Sequence, residues 1–224
     1  MIPARNEAPT IGRVVAVCCQ LALEVSRVGP VIVVSDGSTD GTDDIARARG
    51  AWVVRRAGPT GSKAAAVELG AQLVGTAHVM LVDADCVGLT TGHLRALVGS
   101  YRTGAAMSVG VFDYGSLGPL AARFPLTTGQ RVLPRAVLLE ACTASGPGYG
   151  LEARISALVG ANGGVTSSRV LGGVGHVRKM RKRGVALGGR EWFRMYAEVA
   201  YSSARDPIGL LHFLARVEPA RMPL

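Results

Sequence analysis

Two nearly unbroken apolar runs constrain the fold of this chain more than any other feature, because each ends at an acidic residue. Val31-Ile32-Val33-Val34 gives way to Ser35-Asp36-Gly37, and His78-Val79-Met80-Leu81-Val82 gives way to Asp83-Ala84-Asp85. A strand that is apolar on both faces must be covered on both, the habit of parallel sheets flanked by helices. Around these runs the pattern changes to a helical period. Residues 10–25 place Ile11, Val14, Val15, Val17, Cys18, Leu21 and Val25 on one face. Further helices are predicted over 43–49, 64–74 and 90–102, and further strands over 52–55 and 106–112. The alternation describes βαβ units in an α/β fold with a mainly parallel central sheet.

Beyond Asp113 the signal weakens. Gly and Pro recur as far as Pro134, and the segment reads as loops. A helix over 152–159 is entered through Gly146-Pro147-Gly148-Tyr149-Gly150. Residues 191–203 read as a late helix with Trp192, Tyr196 and Val199 on one face, and 208–217 form another apolar stretch. No composition break divides the 224 residues, so they read as one domain with halves 1–102 and 103–190 and a helical segment 191–224. With 48% hydrophobic residues but only 5% aromatic, the core must rest on Ala, Val and Leu.

The formal charge of +9 admits nucleic acid, anionic lipid or phosphorylated small molecules as partners. Much of the excess sits in Arg178, Lys179, Arg181, Lys182 and Arg183, with no aromatic interleaving of the kind nucleic-acid modules use. Cys18, Cys19, Cys86 and Cys142 show no metal or redox spacing and read as free thiols of a reducing compartment. No leader is evident, and no apolar run reaches the ~18 residues that a membrane span needs. A cytoplasmic protein is expected. Peripheral contact with the inner face of the membrane is left open, because Trp192 and Phe193 border basic residues.

Ligands of open α/β sheets gather at the carboxyl ends of strands, where three polar loops fall here. Asp83 and Asp85, one residue apart after a buried strand, can both approach a hard divalent cation such as Mg²⁺ or Mn²⁺. Asp36 follows the other strand; it could accept from a base or ribose, or simply make an Asx turn or cap the next helix. Lys63 opens a helix behind Gly61, where phosphate charge would be met, although the spacing is not that of a Walker A loop. Glu152 could be a base, a metal-shell carboxylate or an ordinary helix N-terminal acid. Taken alone, His176 reads as a structural histidine.

Together these motifs resemble the family 2-like glycosyltransferases of the GT-A fold. Pro3-Ala4-Arg5-Asn6-Glu7 with Thr10-Ile11-Gly12 is similar to that family's opening nucleotide loop, and Val33 to Thr42 to its second signature. Gly61-Ser62-Lys63 resembles its Gly-Lys segment with one residue inserted, and Leu81-Val82-Asp83-Ala84-Asp85 its metal motif. Leu126 to Leu133, Gly148-Tyr149-Gly150-Leu151-Glu152 and Gly175-His176-Val177-Arg178 resemble a bacterial branch that includes glucosyl-3-phosphoglycerate synthases and polyprenyl-phosphate sugar transferases. Only Met1 and Ile2 precede Pro3, where such proteins carry a longer first strand.

The resemblance implies a nucleotide-diphosphate sugar donor, UDP-glucose or similar, and a phosphorylated or lipid-phosphate acceptor. It places Pro3, Ala4, Arg5, Glu7, Asp36 and Ser38 around the nucleoside, with Lys63, Asp83 and Ala84 at the diphosphate and sugar. It gives Asp85 and His176 to the Mg²⁺ or Mn²⁺ ion, and Gly129, Gln130, Arg131 and Tyr149 to the acceptor side. Glu152 would act with Asp83 at the reacting centre. Nucleic acid is not implied, and a homodimer is left open. Two other readings compete: a nucleotidyltransferase, whose glycine-rich opening loop is missing here, and a non-catalytic basic protein that binds nucleotide or membrane.

Overall fold

The computed structural model describes residues 1–102, 104–143, 150–176 and 206–220. Three parallel strands, β1 (Ile2–Ala4), β2 (Ile32–Ser35) and β3 (Trp52–Arg55), pair in register, Val33 lying opposite both Ile2 and Val53. A second sheet has the order β10-β8-β6-β7-β4. Its strands are β4 (His78–Leu81), β6 (Met107–Phe112), β7 (Gln130–Pro134), β8 (Thr166–Leu171) and β10 (Val217–Pro219). Met1 joins the two sheets: its ammonium donates to the Met80 carbonyl at 2.8 Å, and the Val82 amide donates to the Met1 carbonyl at 3.2 Å. Only β7 runs antiparallel to its neighbours in these sheets, so the main sheet is mostly parallel as expected. A separate two-residue ribbon pairs β5 (Cys86–Val87) with β9 (Gly175–His176).

Helices cover the sheets because their apolar faces have nowhere else to go. In α1 (Ala8–Glu24), Ile11, Val14, Val15, Cys18 and Leu21 are buried, the face read from the sequence. Pro9 stands in its first turn, where a missing N–H costs nothing. Next come α2 (Thr42–Ala48), α3 (Lys63–Leu73), α4 (Thr91–Arg102), α5 (Gly118–Arg123), α6 (Arg135–Thr143), α7 (Gly150–Ala161) and α8 (Pro207–Ala215). Ser62 caps α3 by accepting from the Ala65 amide at 3.2 Å. The core is built from small aliphatics, and Phe213 is the bulky aromatic fully enclosed in it.

Two expectations need correction. Residues 113–134, read as loops, contain α5 and all of β7, and β7 is the strand that links β4 to β6. Its first residues, Gln130 and Arg131, are fully buried polar side chains held by internal hydrogen bonds, so hydrophobic alternation could not reveal it. Strand β8 was missed for a similar reason, since its buried positions include Thr166 and Ser168. The short first strand does form, with three residues paired to β2. Tyr149, the basic cluster 178–183 and the helix expected over 191–203 lie outside the described residues. Among the described residues, no helix is long and apolar enough to cross a membrane.

Candidate active site

The carboxyl ends of β1 and β2 carry two loops that are tied to each other. Asn6 adopts the left-handed backbone region, φ 55°, which asparagine tolerates better than most residues. Its side-chain oxygen accepts from the Thr39 amide at 2.9 Å, and its own amide donates to Ser38 Oγ at 3.1 Å. The Glu7 amide donates to Thr42 Oγ1 at 2.8 Å, and the Ala8 amide to Asp40 Oδ2 at 3.1 Å. Four bonds thus make one rim of Pro3 to Glu7 and Asp36 to Thr42. Pro3, Ala4, Glu7 and Ser38 share that rim with Arg5, which is exposed.

Asp36 is buried there, but it caps no helix. Its Oδ1 accepts from Arg56 Nε at 2.7 Å, and its Oδ2 accepts from the amides of Gly61 and Ser62, the latter at 2.9 Å. The loop after β3 therefore folds back onto the end of β2. The residue inserted between Gly61 and Lys63 supplies the second of those amides.

At the end of β4 the chemistry concentrates. Lys63 Nζ donates to Asp83 Oδ1 at 2.7 Å and to Glu152 Oε1 at 2.6 Å. Asp83 Oδ2 accepts from the Gly129 amide at 3.2 Å and from Gln130 Nε2 at 3.1 Å. Burial alone would raise the Asp83 pKa, but the Lys63 ammonium and these donors hold it below the ordinary carboxylate range. Burial would likewise lower Lys63, and the two carboxylates reverse that and raise it. Pro3, Leu81, Gly129 and Leu151 wall a small pocket around the three charges. The sequence placed Lys63 at phosphate or sugar; it could not show that α3 and α7 bring one ammonium between two acids.

Arg131 lies directly behind this pocket, with no exposure. Its guanidinium donates to the carbonyls of Thr128 (2.8 Å) and Pro125 (3.0 Å) and to Ser156 Oγ (2.9 Å). Burial pulls its pKa down to about 10, against the opposing pull of Glu152 and Asp83. Arg131 is thus a strut between the 125–128 turn and α7 as the structure stands. Gly129 shows how closely this turn approaches Asp83: a Cβ there would lie 2.2 Å from Oδ1 and 2.5 Å from Oδ2. Gly129→Ala is expected to cost about 2 kcal/mol by overpacking. Thermal unfolding should show it as a drop of roughly 4–8 °C in Tm; an unchanged Tm would mean that the turn gives way freely.

Asp85 leads into β5, and the register sets Cys86 opposite His176. The His176 ring also lies against Phe112, with centroids 5.0 Å apart. The ribbon therefore carries a residue from late in the chain to the Asp85 turn. Among the described residues, no group of three or more His, Cys, Asp or Glu side chains could enclose an ion. Cys86 has its thiol pKa raised, first by burial and then by the negative charges of Asp83 and Asp85. Both effects disfavour its thiolate.

A mostly parallel sheet with acidic loops at its strand ends and one antiparallel strand beside the site defines a GT-A type α/β fold. Residues 1–142 match glycosyl transferase family 2, and the chain belongs to that family. A 106-residue stretch is 36% identical to the 4,4'-diaponeurosporenoate glycosyltransferase of Staphylococcus aureus (strain MRSA252), covering 46% of this chain but only 27% of that protein. Among solved structures, glucosyl-3-phosphoglycerate synthase of Mycobacterium tuberculosis in complex with phosphoglyceric acid superposes with a TM-score of 0.66 at 23% identity. The likeness covers 89% of this chain and 78% of that one. The same synthase with Mn²⁺, UDP-glucose and phosphoglyceric acid gives a TM-score of 0.67 at 22% identity, over 89% and 78% of the two chains. At these identities the structural likeness speaks for the fold.

Proposed function

We propose that this chain is a metal-dependent glycosyltransferase that moves a sugar, glucose or a close relative, from a nucleotide-diphosphate sugar to a phosphorylated small molecule or lipid phosphate. The observation that carries the reading is the Lys63 bridge, one ammonium between Asp83 and Glu152 beside the Asp-x-Asp turn. Such a site offers fixed charges and donors to sugar hydroxyls and to a leaving diphosphate. Mycobacterial synthases of the same fold, crystallised with Mn²⁺ and UDP-glucose or with Mg²⁺ and UDP, support the choice of donor and ion.

Asp85 and His176 are the residues that would hold Mg²⁺ or Mn²⁺. When bound, the ion supplies positive charge to the departing diphosphate. The rim of Pro3, Ala4, Arg5, Glu7 and Ser38 receives the nucleoside. Asp36 joins it, and a base must compete with the Gly61 and Ser62 amides for that carboxylate. Lys63, Asp83 and Ala84 face the diphosphate and sugar. Glu152 orients or deprotonates the acceptor hydroxyl, with Gly129 and Tyr149 assigned to the acceptor side and Gln130 and Arg131, whose side chains are enclosed, supporting that side from behind.

The test is Mn²⁺-dependent binding and hydrolysis of a nucleotide-sugar panel, with Asp85→Ala beside the parent. One donor should be used selectively, and its turnover should fall at least ~100-fold in the variant. Equal turnover by Asp85→Ala, or no binding of any donor, would sink the reading.

A further inference from the structure

We propose that Thr128 and Gln130 are positioning residues that fix the Asp83 carboxylate for sugar transfer, an inference that rests on the transferase reading above. Gln130 is fully buried and turned away from solvent, onto Asp83. Its Nε2 donates to Asp83 Oδ2 at 3.1 Å and lies 3.0 Å from Cys86 Sγ. Its Oε1 lies 2.6 Å from the Thr128 hydroxyl, which is also 2.5 Å from the Gly110 carbonyl. The amide is oriented with Nε2 toward the Asp83 carboxyl and Oε1 toward the Thr128 hydroxyl, donor to acceptor at both ends. The hydroxyl then donates toward Oε1 and Gly110 O, one proton shared by two acceptors.

The relay is referenced to the sheet. Gln130 pairs with Gly110 across β7 and β6, so the Thr128 turn and the amide share one rigid frame. Its effect is to divide the two acids of the Asp-x-Asp turn. Asp83 Oδ1 is committed to Lys63, and Oδ2 to Gly129 and Gln130. Swinging Asp83 toward a metal at Asp85 would surrender three donors in a mostly buried site, where unmade hydrogen bonds are costly. The relay thereby keeps Asp83 with Lys63 and the sugar, and leaves the ion to Asp85.

The experiment uses the full chain and compares Thr128→Val, Thr128→Ser and Gln130→Leu, each alone and combined with Asp83→Asn. Turnover of UDP-glucose is measured with Mn²⁺, and Mn²⁺ affinity by electron paramagnetic resonance. Thr128→Val and Gln130→Leu should lower kcat about 10- to 100-fold, with KM and Mn²⁺ affinity within about threefold. Thr128→Ser should stay within about twofold of the parent, and in the Asp83→Asn background Thr128→Val should cost less than about twofold. Undiminished losses in that background, a serine variant as impaired as the valine one, or Mn²⁺ affinity falling in step with kcat would overturn the relay. If the parent turns over no nucleotide sugar, the transferase reading fails separately. The relay is then decided by urea unfolding of Gln130→Leu, Asp83→Asn and the double variant. Coupled midpoints uphold it and additive midpoints overturn it.

Discussion

A Lys63→Met variant is expected to lose about 3 kcal/mol of stability and nearly all donor turnover. Methionine keeps the unbranched stem but removes the ammonium, so Asp83 and Glu152 would face each other with no cation between them. Breaking a buried pair from one side costs about 3–5 kcal/mol, because a charge is left uncompensated. The Lys63 side chain is 30% exposed, which places this site at the lower end. Denaturant unfolding followed by circular dichroism measures the effect, and an unchanged midpoint would show that the acids do not need the ammonium.

The pH dependence has a definite sign. Asp83 has a lowered folded pKa, so its contribution is present above the unfolded value and is lost as pH falls through the folded one. Lys63 has a raised folded pKa, so its share is intact at neutral pH and is lost only far into the alkaline range. The stability gap between parent and Lys63→Met should therefore be full at pH 7 and narrow below about pH 4.

Gly160→Ala is expected to be about as damaging, for a purely steric reason. A Cβ at Gly160 would lie 2.2 Å from the Gly209 carbonyl oxygen, 2.4 Å from the Phe213 nitrogen and 2.8 Å from the Phe213 Cα. These are backbone atoms of α8, so relief requires the whole helix to move away from α7. Gly209 answers from the other side, where a Cβ would meet the Ala157 carbonyl at 2.8 Å. Lifting α8 would also loosen Phe213, which is fully buried. Overpacking at such a contact costs about 3 kcal/mol, a Tm lower by roughly 6–12 °C. A variant that melts with the parent would show that the two helices slide freely.

The first half of the fold was legible because its physics is local. The α1 face announces itself by its helical period and strands β2 and β4 by their apolar runs, and Asp83 and Asp85 stand where a parallel sheet exposes its strand ends. The second half was harder, because its strands enclose polar residues. Gln130 and Arg131 are expected on the acceptor side, yet Gln130 reaches a carboxylate 47 positions away and the Arg131 guanidinium serves backbone carbonyls. A buried glutamine or arginine carries no periodic signature; its partners exist only once the sheet has closed. Asp36 fell between the two cases: its strand-end position was readable, but its engagement by Arg56 and the Gly61–Ser62 amides was not.

The β5–β9 ribbon has a consequence for how the chain acquires its site. Its two strands come from stretches about 90 residues apart and pair over two residues each, with the Gly88 and Gly173 backbones in close approach beside them. So small a pairing cannot nucleate anything, because closing a long loop must be offset by contacts made elsewhere. The late strand that sets His176 opposite Cys86, beside the Asp85 turn, is carried there by β8, which is itself anchored along β6 in the main sheet. During synthesis the nucleoside rim is complete within the first half of the sequence, long before the other side of the site has been translated. A stalled or shortened chain would display half a pocket, with neither the β7 strand beside β4 nor the histidine opposite Cys86.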